Sequence, residues 1–128
     1  MTGKPRFTML VLLVEDMARS VGFYRRLGVS FPDDVESRPS VVVDLGGGHN
    51  LVLSTSFGQN VPNYAPPRGD ARTLLEFFVE GDAAVNELYG QLTAAGYRGR
   101  RPPFRTDFGA WMALVDDPDG TTVLITAG

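Results

Sequence analysis

Two acidic residues lie in apolar stretches of the sequence, where a carboxyl group can act as a base or bind a cationic ligand. Glu76 interrupts the apolar run 74–79, and Asp116 ends a later apolar run. Burial raises the pKa of a carboxyl group, and such a group can take a proton near neutral pH or anchor a cationic ligand. For Glu76, the alternative interpretation is an ion pair with Arg98 or Arg105, or a solvated position at the rim of a site.

Aromatic side chains form a second group with binding potential. Trp111, the only tryptophan, follows Phe108 and is either a stacking platform or a core residue beneath a helix. If Met112 faces a ligand, strand alternation turns Trp111 away from it. Three further aromatic residues lie in segments rich in proline and glycine, where they bind a ligand or seal the loop against the body: Phe57, Tyr64 and Phe104.

The rest of the composition excludes several kinds of chemistry. The chain has no cysteine, so thiolate catalysis, disulfides and zinc–sulfur sites are excluded. Its one histidine, His49, lies in the segment Gly-Gly-Gly-His-Asn at 46–50, which joins two predicted strands and is therefore interpreted as a turn rather than a phosphate-binding loop. A formal net charge of −3, without a long basic cluster, argues against a nucleic-acid partner.

An internal repeat organises the chain around these residues. Two apolar runs, 9–14 and 74–79, indicate strands followed by acidic turns, and each is followed by apolar residues spaced three or four apart, as in an amphipathic helix. The helix ends carry their usual signals, with N-caps predicted at Asp16 and Asp82 and terminating glycines at Gly28 and Gly96.

Each predicted helix is followed by further strands. They cover residues 40–45 and 51–54 in the first half and 111–116 and 121–126 in the second, with an additional strand before each pair near 29–31 and 97–100. The expected fold is α+β: two βαβββ modules that form one curved mixed sheet with the helices on its convex side. We expect a single domain over 1–128, with module one at about 7–56, a linker at about 57–72 and module two at about 73–127.

Strand alternation predicts which side chains face the concave side of this sheet. In each first strand, the set that ends in Val14 or Val79 is wholly apolar, which suits burial beneath a helix. The other set, which includes Glu76, should then line the groove. In the closing strands, Val52 and Leu124 should face the same way.

The chain resembles a known superfamily in three segments. The opening Val14-Glu-Asp-Met-Ala-Arg-Ser20, the Phe-Tyr-Arg-Arg-Leu-Gly at 23–28 and the turn Asp-Pro-Asp-Gly at 117–120 are similar to those of the glyoxalase, bleomycin-resistance and extradiol-dioxygenase (vicinal oxygen chelate) superfamily. The resemblance spans essentially the whole chain. Its motifs are specific to the superfamily and not to one activity within it.

The resemblance also implies where a metal would bind. Metal-dependent members place one ligand in the first and last strand of each module, and the corresponding positions here are Met9, Val52, Leu74 and Leu124. A divalent ion needs imidazole nitrogen or carboxylate oxygen, which none of these side chains has. We therefore predict no metal and no cofactor, as in the bleomycin-resistance branch, whose members sequester antibiotics in grooves and are commonly homodimers with exchanged arms.

The function predicted from these observations is metal-independent binding of an aromatic natural product, with resistance by sequestration, in a homodimer. The alternative is a metal-free enzyme, similar to a lyase or isomerase, that uses Glu76 or Asp116 as its base. The apolar run 9–14 is too short for a signal peptide or a membrane span, so a cytoplasmic protein without a membrane partner is expected. No catalytic residue is assigned, and the predicted ligand-binding residues are Met9, Val52, Phe57, Tyr64, Leu74, Glu76, Phe78, Phe104, Phe108, Trp111, Met112 and Leu124.

Overall fold

The computed structural model describes residues 4–57 and 73–127. These two stretches belong to two separate compact units, each of which is described by itself. Most of the predicted linker, including Tyr64, lies outside the described residues.

Residues 4–57 of the first unit form three strands and two helical segments. In chain order these are β1 (Met9–Leu13), the helix α1 (Met17–Arg26), a 3-10 turn (Val35–Ser37), β2 (Ser40–Gly46) and β3 (His49–Ser54). The strand order is β1-β3-β2, with β1 parallel to β3 and β2 antiparallel to it.

The second unit repeats this plan with one more strand. Its elements are β4 (Leu74–Phe78), α2 (Asp82–Ala94), β5 (Gly99–Arg105), β6 (Trp111–Asp116) and β7 (Thr122–Thr126). The strand order is β4-β7-β6-β5, with β4 parallel to β7 and the other neighbours antiparallel. Neither α1 nor α2, the helices of the described stretches, is long and apolar enough to cross a membrane.

The strand register bears out the internal repeat. Met9, the first residue of β1, pairs with Asn50, which lies two residues before Val52. Leu74, the first residue of β4, pairs with Thr122, which lies two residues before Leu124. The four positions that the repeat aligned therefore occupy equivalent places in the two sheets.

The expected α+β class is confirmed, but two details of the predicted fold are wrong. The strands form two mixed sheets, one in each unit, rather than one hydrogen-bonded sheet. The strand expected near 97–100 exists as β5, whereas residues 29–31 form no strand. In the first unit the chain between α1 and β2 forms the 3-10 turn instead, and this turn buries Val35 completely in the core.

The helix ends follow local sequence in three of four cases. Asp16 caps α1, because its carboxylate accepts a hydrogen bond from the backbone N–H of Arg19. Gly28 and Gly96 follow the two helices with positive φ angles, as terminating glycines do. The prediction for Asp82 was wrong, since Asp82 is the first residue of α2 and its carboxylate makes an ion pair instead of a cap.

Helix α2 covers one face of the second sheet. It contacts β5, β6 and β7. The fully buried residues of the unit mark the contact, with Val85 and Leu92 on the helix and Ala113, Val115, Val123 and Ile125 on the strands. Because strand side chains alternate, the residues between them point to the opposite side of the sheet.

Candidate ligand-binding face

The side of the second sheet that α2 does not contact is called here the helix-free face. Hydrogen-bonded neighbours in a sheet point to the same side, so the register arranges the residues of this face in three rows across the strands. In the order β4, β7, β6 and β5, the rows are Leu74, Thr122 and Asp116; then Glu76, Leu124, Leu114 and Arg101; then Phe78, Thr126, Met112 and Phe104.

Six of the predicted site residues share this face. They are Leu74, Glu76, Phe78, Phe104, Met112 and Leu124. The β4 end of the face is the most open, since Leu74 is 57% exposed and Phe78 is 64% exposed. Leu124 and Leu114, in the middle strands, are half-buried. Strand alternation correctly predicted a shared side for Leu74, Glu76, Phe78 and Leu124, whereas it left the side of Met112 open and Phe104 was expected in a loop.

Glu76 stands on this face without an ion pair or a hydrogen bond among the described residues. The two arginines considered as its partners are engaged elsewhere. Arg98 lies 4.0 Å from the carboxylate of Asp116, and Arg105 lies 2.8 Å from that of Asp82. The ion-pair interpretation of Glu76 with these arginines was therefore wrong, and its exposed carboxylate is free to meet a ligand.

Asp116 has the opposite environment. Its side chain is 4% exposed and accepts two hydrogen bonds from the guanidinium of Arg100, at 2.8 and 2.6 Å, and one from the hydroxyl of Thr122, at 3.0 Å. The hydrogen bond from Arg100, more than the opposing burial, holds the pKa of Asp116 below its usual value, and Thr122 adds to this effect. A carboxylate held this way is a poor general base.

Arg100 is the residue that sequence reasoning missed. It was assigned no role from the sequence, and only Arg98 and Arg105 were considered as partners of an acid. The available signal was an acid at the end of an otherwise apolar strand, β6, because such an acid needs a cationic partner on a neighbouring strand. The irregular ladder between β5 and β6, with shifts on either side of Arg101, concealed which arginine would reach it.

Phe104 and Arg101 form a contact at the β5 end of the face. The guanidinium carbon of Arg101 lies 3.7 Å from the centre of the Phe104 ring, which is a close cation–π contact. Phe104 was expected in a loop and instead lies in β5, half-buried. Pairing with β6 overrides the two prolines before it, since β5 is an edge strand whose ladder is interrupted there.

Trp111 lies on the other side of the sheet. Its indole nitrogen donates a 2.8 Å hydrogen bond to the side-chain oxygen of Asn86 on α2, and the guanidinium of Arg105 lies 5.0 Å from its ring centre. Met112 occupies the helix-free face, so alternation turns Trp111 towards the helix. We accordingly remove Trp111 from the candidate site and assign it to the contact with the helix.

Two aromatic residues lie outside the rows. Phe108 is 79% exposed in the turn between β5 and β6, beyond the last paired residues. Phe57 is half-buried three residues after β3 and belongs to the first unit. Neither lies on the helix-free face.

The first sheet has a corresponding face with the same register. Its rows are Met9, Asn50 and Asp44; then Val11, Val52 and Val42; then Leu13, Ser54 and Ser40. Met9 is 41% exposed and Val52 is buried. His49 is exposed at the hairpin end, where Gly47 and Gly48 adopt the positive φ angles of a tight hairpin turn, as its turn interpretation predicted.

Comparison with known proteins identifies the family of this fold. A family model described as the Glyoxalase/Bleomycin resistance protein/Dioxygenase superfamily matches residues 6–125. The chain belongs to this superfamily. Comparison with curated proteins gave no match.

Solved structures of the superfamily fold are similar over nearly the whole chain. A glyoxalase-related enzyme from Fulvimarina pelagi is 22% identical, with a TM-score of 0.78, over 94% of this chain and 86% of that one. The hypothetical protein SA1046 from S. aureus is 19% identical, with a TM-score of 0.76, over 100% and 96% of the two chains. Lactoylglutathione lyase from Agrobacterium tumefaciens is 17% identical, with a TM-score of 0.63, over 98% and 95%. At these identities the likeness establishes the fold alone.

The residues of this superfamily member do not fit a metal at the expected positions. Those positions hold the thioether of Met9 and the aliphatic side chains of Val52, Leu74 and Leu124. Divalent ions of the borderline and hard classes are bound by imidazole, carboxylate or carbonyl groups. Within the described ranges, no group of three or more histidine, cysteine, aspartate or glutamate side chains is arranged to hold a metal ion.

Proposed function

We propose that this superfamily member binds a small organic molecule with aromatic groups, without a metal, and protects by sequestering it, as in the bleomycin-resistance branch. One observation carries the proposal. The positions that would hold metal ligands carry apolar side chains, and in the second sheet these continue into a face whose edge exposes Leu74 and Phe78.

Exposed apolar side chains on a sheet face indicate binding. A soluble domain seldom leaves neighbouring large apolar side chains in water unless they contact a ligand or a partner. Small-molecule sites are mainly apolar, with a few polar groups that orient the ligand. Here the exposed carboxylate of Glu76 supplies a polar group among the apolar ones. Burial of side chains as exposed as Leu74 and Phe78 beneath a ligand would contribute on the order of 1 to 2 kcal/mol each to the free energy of binding.

A homodimer is part of this proposal. Its basis is the resemblance to the bleomycin-resistance branch, in which two chains commonly form the grooves together. Light scattering of the purified protein measures the molar mass directly. A mass of twice 13.9 kDa supports the dimer. A monomeric protein that still binds ligand contradicts the dimer and leaves the proposed binding function intact.

Titration calorimetry in buffer containing a chelator tests the binding function. The panel contains a bleomycin-type glycopeptide, a quinone antibiotic, an enediyne antibiotic and a flavin, and mass spectrometry of the recovered ligand checks that it is intact. Saturable binding with intact recovery is expected for at least one member. Absence of any heat, together with an unchanged melting temperature across the panel, contradicts the proposal and favours an interaction module that has lost its site.

A matched pair of leucine variants locates the site. Leu74→Ser removes an apolar side chain from the helix-free face, whereas Leu45→Ser removes an equally exposed one, at 58% against 57%, from the β2–β3 hairpin of the first unit. The first change should weaken binding and the second should leave it unchanged. Equal effects would mean that ligand does not bind on this face.

A metal-free enzyme is the second candidate, and the exposed, unpaired carboxylate of Glu76 favours it. The structure argues against Asp116 as the base, because its buried carboxylate is bound by Arg100, which lowers its pKa and weakens it as a proton acceptor. Turnover would give a new species by mass spectrometry and a pH–rate profile that is lost in Glu76→Gln. Intact ligand after prolonged incubation rejects this candidate.

A further inference from the structure

The middle row of the helix-free face carries one charge of each sign at its two ends. From β4 to β5 it consists of Glu76, Leu124, Leu114 and Arg101. Neighbouring strands are about 4.7–4.9 Å apart, so the two ends are separated by three such spacings, or about 14 Å. Two half-buried leucines lie between an exposed acid and an exposed base.

Neither Glu76 nor Arg101 forms an ion pair within the described residues. Of the arginines of β5 and the residues just before it, Arg98 and Arg100 face Asp116, and Arg105 pairs with Asp82. Arg101 has no carboxylate partner within residues 4–57 and 73–127, and its guanidinium lies over the ring of Phe104. Glu76, on the opposite edge strand, likewise has none.

The two charges do not neutralise each other across the row. Screening in physiological salt reduces interactions between exposed charges over about 8 Å, which is shorter than the separation of about 14 Å. Each charge therefore remains available for a group of opposite sign held closer to it. The cation–π contact holds the guanidinium of Arg101 near the face, because the Phe104 ring lies on the same side of the sheet.

The fold does not require this charge pattern. In the first sheet the corresponding row is Val11, Val52 and Val42, and it contains no charged side chain. The same strand pairing is thus formed with three valines. The acid and the base of the second sheet are additional to what the sheet needs.

We propose that the ligand of the helix-free face is amphoteric. A cationic amine or guanidine at one end pairs with Glu76, an anionic carboxylate or phosphate at the other pairs with Arg101, and a flat apolar body lies over Leu124 and Leu114. This inference rests on the proposed small-molecule function and adds the charge pattern and length of the ligand. Exclusion of water by the apolar body strengthens both ion pairs relative to open solvent.

Three biphenyl probes test the pattern. The first is an aminomethyl-biphenyl-carboxylic acid with its charged groups at opposite ends, the second is its N-acetyl derivative, which lacks the cation, and the third is its methyl ester, which lacks the anion. Binding to the full chain is followed by backbone amide shifts in β4 and β7 and by titration calorimetry. The amphoteric probe should bind about tenfold more tightly than either derivative, the effect of one charge-assisted hydrogen bond.

Two charge-neutralising variants show which charged group of the probe binds Glu76 and which binds Arg101. Glu76→Gln should lower affinity about tenfold for the amphoteric probe and the ester, and should not change affinity for the N-acetyl probe. Arg101→Gln should do the reverse, lowering affinity for the amphoteric and N-acetyl probes only. Arg26→Gln, an exposed arginine at the end of α1, is the control for a change in net charge and should affect none.

The outcomes separate this inference from the proposed function. Equal affinities for the three probes, or loss of all three in either variant, overturn the amphoteric ligand. Failure of every probe to bind also overturns it, and the antibiotic panel then decides the proposed function independently. If panel binding depends on Leu74 while the charge variants have no effect on any ligand, the proposed function stands and this inference falls.

Discussion

Asp44 and Asp116 occupy the same position in the two units, and their environments differ. Asp44 pairs with Asn50 in the row of Met9, as Asp116 pairs with Thr122 in the row of Leu74. Asp44 is exposed and accepts a 2.7 Å hydrogen bond from the backbone N–H of Gly46 in its own hairpin.

The difference comes from one strand. Asp116 is buried and bound by Arg100, and Arg100 lies in β5, which has no counterpart in residues 4–57 of the first unit. Repeated sequence thus sets the same backbone register in both units. An added edge strand then supplies the charged residues, Arg100 and Arg101, that give one of the two faces its own chemistry.

The largest expected effect tests what the two units share. Leu53 and Ile125 follow the equivalent residues Val52 and Leu124, and both are fully buried. Leu53→Ala and Ile125→Ala should each lower the free energy of unfolding by about 2–5 kcal/mol, because each leaves a cavity in a packed core. Chemical denaturation measures it. A loss below about 1 kcal/mol in one variant only would show that the two cores are not equivalent.

The next largest effect compares how much Asp116 and Asp44 contribute to the free energy of unfolding. Asp116→Asn should cost about 1–3 kcal/mol at pH 7, since it weakens hydrogen bonds with a buried charge. The effect is kept below that of a fully buried pair because the Arg100 side chain is 45% exposed. Asp44→Asn should change stability by no more than about 0.5 kcal/mol. Equal losses would mean that Arg100 adds nothing.

The same pair of variants should differ in acid. The pKa of Asp116 is lowered in the folded protein from an ordinary value of 3.8, so its contribution to stability is complete above about pH 5 and is lost as the pH falls through 3.8 towards the folded pKa. Melting temperatures between pH 7 and pH 3 should therefore fall more steeply for the wild type and Asp44→Asn than for Asp116→Asn. Parallel curves for all three proteins would contradict the assigned pKa direction.

A smaller effect compares ligand binding on the two faces. Phe78→Ala removes an exposed ring from the helix-free face and should weaken binding of the panel ligand by about 1–2 kcal/mol. Val42→Ala makes a similar exposed change in the first sheet and should have less effect. Calorimetry on both variants measures the difference, and a larger loss for Val42→Ala would move the site to the first sheet.

The smallest effect concerns metals. The melting temperature should be the same with a chelator as with added zinc, nickel or manganese, because the positions of Met9, Val52, Leu74 and Leu124 offer no imidazole or carboxylate. Scanning fluorimetry measures this directly. A saturable rise with one of these ions would reveal a site that these four residues do not form.

Local patterns predicted most of the architecture. Within residues 4–57 and 73–127, the apolar runs, the acidic turns and the glycines after the helices indicated α1, α2 and six of the seven strands at nearly their observed places, since these signals act over a few residues. The strand expected near 29–31 did not form, and the backbone N–H of Val29 donates instead to the carbonyl of Tyr24 at the end of α1. The N-cap expected at Asp82 was wrong by one residue, since Gly81 is the N-cap and the carboxylate of Asp82 pairs with Arg105, which is distant in sequence.

The candidate site was predictable in part for the same reason. Alternation alone put Leu74, Glu76 and Phe78 on one side of β4, as observed. It left Trp111 undecided, because a side chain that fits either environment is placed by its neighbours, here Asn86 and the ring contact with Arg105. Tyr64 lies outside the described residues and stays a prediction.

The sequence by itself determined the repeat, the superfamily and the apolar character of the four expected metal positions, because residue type and spacing along the chain carry that information. Only the tertiary structure decided which arginine binds Asp116 and which is left beside Leu114 at the end of the row of Glu76. Arg98, Arg100 and Arg101 are chemically alike and lie within four consecutive positions of the chain. Their roles follow from the irregular register of β5 against β6, which depends on packing between residues far apart in the chain.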